Sequence, residues 1–150
     1  MATVAQASVT KSAVRSSFFS ASRSKTEADD GLSVPWRGRC FVNPPYGRGI
    51  SEWIRKCFEE SQRGCVVVGL IPARPDSRYW HQFIAGHADV FMIRGRLKFG
   101  DRQNSAPFPS CVVVWGAGPD LINRLSLAMP DAWHVPMLVE HSARPLLETA

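Results

Sequence analysis

The segment of this sequence best equipped for chemistry is Phe41-Val42-Asn43-Pro44-Pro45-Tyr46. A short apolar run ends there in a polar amide, two prolines and an aromatic ring. Proline fixes φ and carries no N–H, so the pair stops a strand and stiffens the turn that follows. In an open α/β sheet, ligands bind beyond the carboxyl ends of the strands, which is where this turn falls. An amide oxygen and a main-chain carbonyl accept two N–H bonds, and a tyrosine ring offers a flat face. Asn43, a main-chain carbonyl near the turn and Tyr46 therefore suit a planar substrate that bears an exocyclic amino group.

The elements that must hold this turn alternate between two periods. Arg39–Asn43 reads as a short strand stopped by Pro44 and Pro45. Ile50, Trp53, Ile54, Cys57 and Phe58 repeat at the helical spacing, with Ser51 or the glycines Gly47 and Gly49 to start the helix and Gly64 to end it. The β-branched run Cys65–Ile71 predicts a strand buried on both faces. A short helix is expected around Ser77–Ile84, turning Tyr79, Trp80, Phe83 and Ile84 inward, and further strands at Asp89–Ile93 and Ser110–Trp115. The last two strands have no helical segment between them, which predicts a hairpin with a long loop. The order implies an α/β fold with a mostly parallel sheet and one antiparallel strand. Trp53 and Trp80 are expected in the core. From Pro119 onward, Pro130, Pro136 and Pro145 punctuate what reads as a short helix and a loosely structured tail.

Composition narrows the classes. With 45% hydrophobic and 21% charged residues over 150 positions, the chain has the means to build a core and is not a disordered polyelectrolyte. No apolar run approaches the ~20 residues of a membrane-spanning helix. The net charge of +5 favours an anionic partner, nucleic acid first. Cys40, Cys57, Cys65 and Cys111 form no CxxC pair and no zinc spacing with His81, His87, His134 or His141. The cysteines are expected as reduced core residues of a cytoplasmic protein, the histidines are given no role, and no metal is expected.

Asn43-Pro44-Pro45-Tyr46 resembles the (D/N/S)PP(Y/F) motif of S-adenosylmethionine-dependent amino methyltransferases. The likeness extends to Asp30-Gly31-Leu32 with Trp36, Ile71-Pro72-Ala73-Arg74 with Asp76, Gly95-Arg96-Leu97-Lys98-Phe99, and Ala106-Pro107-Phe108-Pro109-Ser110. Together, over about residues 12–115, these resemble the phage-type DNA N6-adenine methyltransferases. The resemblance implies a Rossmann-like methyltransferase sheet and transfer of a methyl group from S-adenosylmethionine to a flipped-out adenine in double-stranded DNA. It gives Asn43, Pro44, Pro45 and Tyr46 the catalytic turn, and Asp30, Leu32 and Phe41 the cofactor. Arg96, Lys98 and Arg102 are the residues proposed for DNA phosphates, with a solvated charged loop as the alternative. A bacterial cytoplasm, as host of a phage or prophage, is the implied setting.

The pattern departs from the family upstream. Ser12-Ala13 and Phe18-Phe19 match, but the family's acidic residue beyond the first strand falls at about Ala5. The expectation is an N-terminally truncated member whose cofactor half is incomplete. Residues 1–28 would be a partial or flexible segment, 29–118 the catalytic core, and 119–150 the helix and tail. A methyltransferase for a protein glutamine or an RNA base, or an inactive remnant, are the alternatives.

Overall fold

A computed structural model describes residues 31–97 and 106–138. In chain order the elements are β1 (Arg39–Val42), α1 (Ile50–Gln62), β2 (Val66–Pro72), α2 (Arg78–Phe83), β3 (Asp89–Met92), β4 (Ser110–Trp115), α3 (Pro119–Ala128) and β5 (Trp133–Val135). The helical stripe forms as read: Trp53, Ile54 and Cys57 are buried, and Gly64, at φ +98°, follows the helix end at Arg63. Only a residue without a Cβ takes that left-handed conformation cheaply. The apolar runs of β2 and β4 become the two strands buried on both faces.

Strand order is β1-β2-β4-β3-β5, and this corrects the expectation of a mostly parallel sheet. Among the described residues, only β1 and β2 pair in parallel; β2–β4, β3–β4 and β3–β5 are antiparallel. The directions were legible, because β1, β2 and β3 all run the same way, as strand–helix alternation requires. Their neighbours were not. β4 returns from β3 and inserts between β2 and β3, so β2 and β3, though co-directional, share no ladder.

The tail also departs from expectation, because it contains β5. Trp133-His134-Val135 lies between Pro130 and Pro136, too short a run for a period-two signal. Its anchor is His134, which therefore does have a structural role. The imidazole stacks on Phe91 at 4.4 Å and 7°, and Nε2 lies 2.8 Å from Asp89 Oδ1.

Helices cover both faces. On one, Ile54, Trp80 and Ile84 pack over Val67, Val113 and Trp115; on the other, Leu121 and Leu125 of α3 pack over Phe41, Leu70 and Val112. Gly69 lets Trp115 pass: a Cβ there would stand 3.2 Å from the indole. Trp115 Nε1 then donates to the Phe83 carbonyl at 2.7 Å, tying β4 to α2. All four cysteines are buried, and burial raises the Cys57 and Cys111 thiols above their ordinary range, which keeps them unreactive.

One buried charge fixes the segment before β1. Glu60, 1% exposed, accepts the Trp36 N–H at 3.3 Å, an Arg63 guanidinium at 3.0 Å and the Lys56 ammonium. Trp36 Nε1 in turn donates to the Gly31 carbonyl at 2.8 Å. Burial alone would raise the Glu60 carboxyl. The Lys56 hydrogen bond, the Trp36 N–H and the charges of Lys56 and Arg63 outweigh it and hold the group below its usual range. Its stabilisation is therefore complete above the unfolded carboxyl value, about 4.3, and is lost as pH falls through the lower folded value. Glu60→Ala leaves Lys56 buried and unpaired, and should cost about 3–5 kcal/mol in denaturant unfolding at neutral pH. A loss below about 1 kcal/mol, the level of an exposed pair, would show that the cluster is not what holds Trp36.

Candidate active site

Because β1, β2 and β3 run the same way, their carboxyl ends share one edge of the sheet, and β4 begins there. That edge collects Asn43–Tyr46 after β1, Arg74 after β2, Arg94 and Arg96 after β3, and Phe108 before β4. The Ala73 N–H donates to the Pro109 carbonyl at 2.9 Å, joining the segments that carry Arg74 and Phe108.

The turn is built by register. Val42 is opposite Gly69, so β2 runs on to Pro72 after β1 has stopped. The Tyr46 hydroxyl reaches into this step, 3.2 Å from Asn43 Oδ1 and 3.3 Å from the Leu70 carbonyl. Asn43 and Pro45 are exposed, Pro44 is buried, and Tyr46 is half-buried. The Tyr46 ring meets Phe108 edge-on, centroids 5.3 Å apart at 78°, and Arg74 Cζ stands 5.8 Å from the Phe108 centroid. Burial, and then the neighbouring Cys111, push the Tyr46 hydroxyl well above its ordinary range, so it stays protonated.

The remaining sequence-predicted residues are not all brought to this turn. Phe41 is buried on the α3 face of the sheet, whereas half-buried Leu32 packs on the α1 face, so the sheet separates the two. Arg96 donates from Nη1 to the Ala106 carbonyl at 3.3 Å, and the Ala106 N–H to the Leu97 carbonyl at 2.7 Å, closing the base of the β3–β4 connection. Asp30, Lys98 and Arg102 lie outside the described residues, as do Ala5 and the segment on which truncation was expected.

Phe108 and Arg74 were quoted as parts of motifs but given no role at the turn. Reading β3–β4 as a hairpin was the available signal, since a hairpin returns the chain to the edge where β3 ends. The described connections at this edge, 43–49, 73–77, 93–97 and 106–109, carry Arg48, Arg74, Arg94 and Arg96 against the single acid Asp76. Among the described residues, no His/Cys/Asp/Glu group of three or more could hold a metal, and no helix is long and apolar enough to cross a membrane.

Chemically, the turn offers neutral acceptors beside aromatic rings on a positively charged edge. That arrangement is chemically suited to a flat, aminated group attached to a polyanion. No curated protein matches the chain. The family described as DNA N-6-adenine-methyltransferase (Dam) matches residues 13–115, a span that runs through β4 and includes every group described at the turn. The chain belongs to the DNA N-6-adenine-methyltransferase (Dam) family.

Proposed function

We propose that the chain transfers a methyl group from S-adenosylmethionine to N6 of an adenine flipped out of double-stranded DNA. The observation that carries this reading is the meeting of Asn43 with the Tyr46 hydroxyl at the carboxyl end of β1, with Phe108 alongside. The described sheet is then the carboxyl-side part of a Rossmann-like methyltransferase sheet, within a catalytic core over residues 29–118. Residues 1–28 precede it, and 119–150, which carry α3 and β5, follow.

The groups at the turn fit a sulfonium donor, because Asn43 Oδ1, the Leu70 carbonyl and the rings of Tyr46 and Phe108 are neutral and electron-rich. Asp30 and Leu32, from the segment before β1, would hold the cofactor, with Phe41 supporting β1 from the opposite face. When bound, S-adenosylmethionine supplies an electrophilic methyl group on a good leaving group. The chain's own task is to make a poor nucleophile ready. The adenine amine is weak because its lone pair is delocalised into the ring. Asn43 Oδ1 and the Pro44 carbonyl accept its two N–H bonds and favour a tetrahedral nitrogen, while Pro45 stiffens the turn. Tyr46 holds the ring plane, and base–aromatic stacking contributes about 1–3 kcal/mol. Positioning of this kind lowers the barrier without a strong base, because the nitrogen becomes acidic only once it is methylated and its proton then passes to solvent water.

Flipping an adenine costs a few kcal/mol of stacking and pairing. Phosphate contacts from Arg96, on the edge that also carries Arg48, Arg74 and Arg94, and from Lys98 and Arg102 would offset it.

Incubation with methyl-labelled S-adenosylmethionine and duplex DNA, followed by nucleoside mass spectrometry, should detect N6-methyladenine. Asn43→Ala should remove it while leaving the unfolding transition in place, since Asn43 is exposed. Transfer undiminished by Asn43→Ala would overturn the role given to the amide, and label found only in RNA or protein would overturn the substrate.

A second measurement bears on the phosphates. The affinity for duplex DNA should fall steeply with salt, with a log–log slope of about −0.9 per phosphate neutralised. Arg96→Ala should reduce that slope by about one contact. An unchanged slope would leave Arg96 as a loop brace through Ala106 alone.

A further inference from the structure

We propose that the Tyr46 hydroxyl is a positioning group that decides which end of the Asn43 amide faces the substrate. The inference rests on the methyltransferase reading above and deepens it. Stacking uses only the ring, so it leaves the hydroxyl without a task.

The argument is one of proton accounting. A phenol has a single proton, yet its oxygen lies within hydrogen-bond reach of two acceptors, Asn43 Oδ1 at 3.2 Å and the Leu70 carbonyl at 3.3 Å. β1 has ended opposite Gly69, and Pro44 and Pro45 have no N–H to offer Leu70. A main-chain carbonyl fixed in a central strand cannot turn to find another donor, whereas a side-chain amide on an exposed turn can. The proton therefore belongs to Leu70.

The amide must then adapt. With its proton committed, the phenol oxygen presents lone pairs to Asn43, and an amide oxygen facing it would be repelled. The oxygen and nitrogen of an amide are interchangeable in shape, so the same heavy-atom positions accommodate the reverse orientation. In it, Nδ2 donates to Tyr46 Oη and Oδ1 is turned toward the substrate. That orientation accepts an N–H from an exocyclic amine, while the other would set NH2 against NH2. Burial, which keeps the phenol protonated, maintains the arrangement across the working pH range.

Two arms test it. In the first, Tyr46→Phe keeps the ring but releases the amide. It should lower kcat about tenfold, the loss of one hydrogen bond's discrimination, with KM for DNA changed less than about twofold. In an Asn43→Asp background both oxygens accept, so orientation ceases to matter and Tyr46→Phe should cost less than about threefold. A stacking role alone predicts no loss in either background, and a purely structural role predicts equal losses in both; either result overturns the proposal.

The second arm needs no activity. In the isotope-labelled chain, the Asn43 Nδ2 protons should show nuclear Overhauser contacts to the Tyr46 ring protons flanking the hydroxyl. Their absence would overturn the proposal. If the wild type transfers no methyl group, the methyltransferase reading fails, and this arm alone decides the orientation.

Discussion

β1 is short because two prolines follow Asn43, and most of the candidate site depends on that shortness. Backbone groups in a sheet must find partners, so a strand that stops early leaves its neighbour's next groups facing something other than strand. Here β1 stops opposite Gly69 while β2 continues to Pro72. The step between them is where the Tyr46 hydroxyl meets the Leu70 carbonyl and where Asn43 stands exposed. Extending β1 by two donors would close the step with ladder hydrogen bonds. The prolines thus act twice, by fixing the turn and by withholding N–H groups.

The insertion of β4 gives the step its surroundings. Were β4 an outer strand, Phe108 and the end of β2 would be separated by β3. Placed between β2 and β3, β4 begins beside Pro72, which pairs with Ser110. Phe108 is thereby delivered to Tyr46, and Arg74 to Phe108. The same placement buries β4 on both faces, which is why Ser110–Trp115 is apolar at every position but its first. Gly69 then yields the volume that Trp115 needs. Packing and site geometry are consequences of one topological choice.

What the sequence disclosed follows from which interactions are local. The stripe of α1, its glycine end and the buried runs of β2 and β4 depend on neighbours a few residues apart, and they were legible. So was the turn, since proline carries its restriction wherever it occurs. Neighbour order is decided by contacts between distant segments, and Asp89–Ile93 and Ser110–Trp115 carry no mark of which lies beside β2. β5 escaped for a related reason: it is held by His134 against Phe91 and Asp89, a side-chain anchorage from another strand. Phe41 and Leu32 were grouped by resemblance, but strand alternation sends Phe41 to one face, and the segment before β1 carries Leu32 to the other.

Stability and chemistry use charge in opposite ways, and α1 keeps them apart. Its first residue, Ile50, follows the neutral turn, and Glu60, near its last, gathers Lys56 and Arg63. At 1.5 Å per residue, the ten steps from Ile50 to Glu60 span about 15 Å, longer than the roughly 8 Å screening length at physiological salt. The carboxylates nearer the turn, Glu52 in the first turn of α1 and Asp76 after β2, are exposed to solvent, whereas Glu60 is buried. Placed at the far end of the helix, it instead binds Trp36, and through Trp36 the Gly31 carbonyl. The buried ion cluster can therefore secure the segment leading into β1 without placing its charge at the turn.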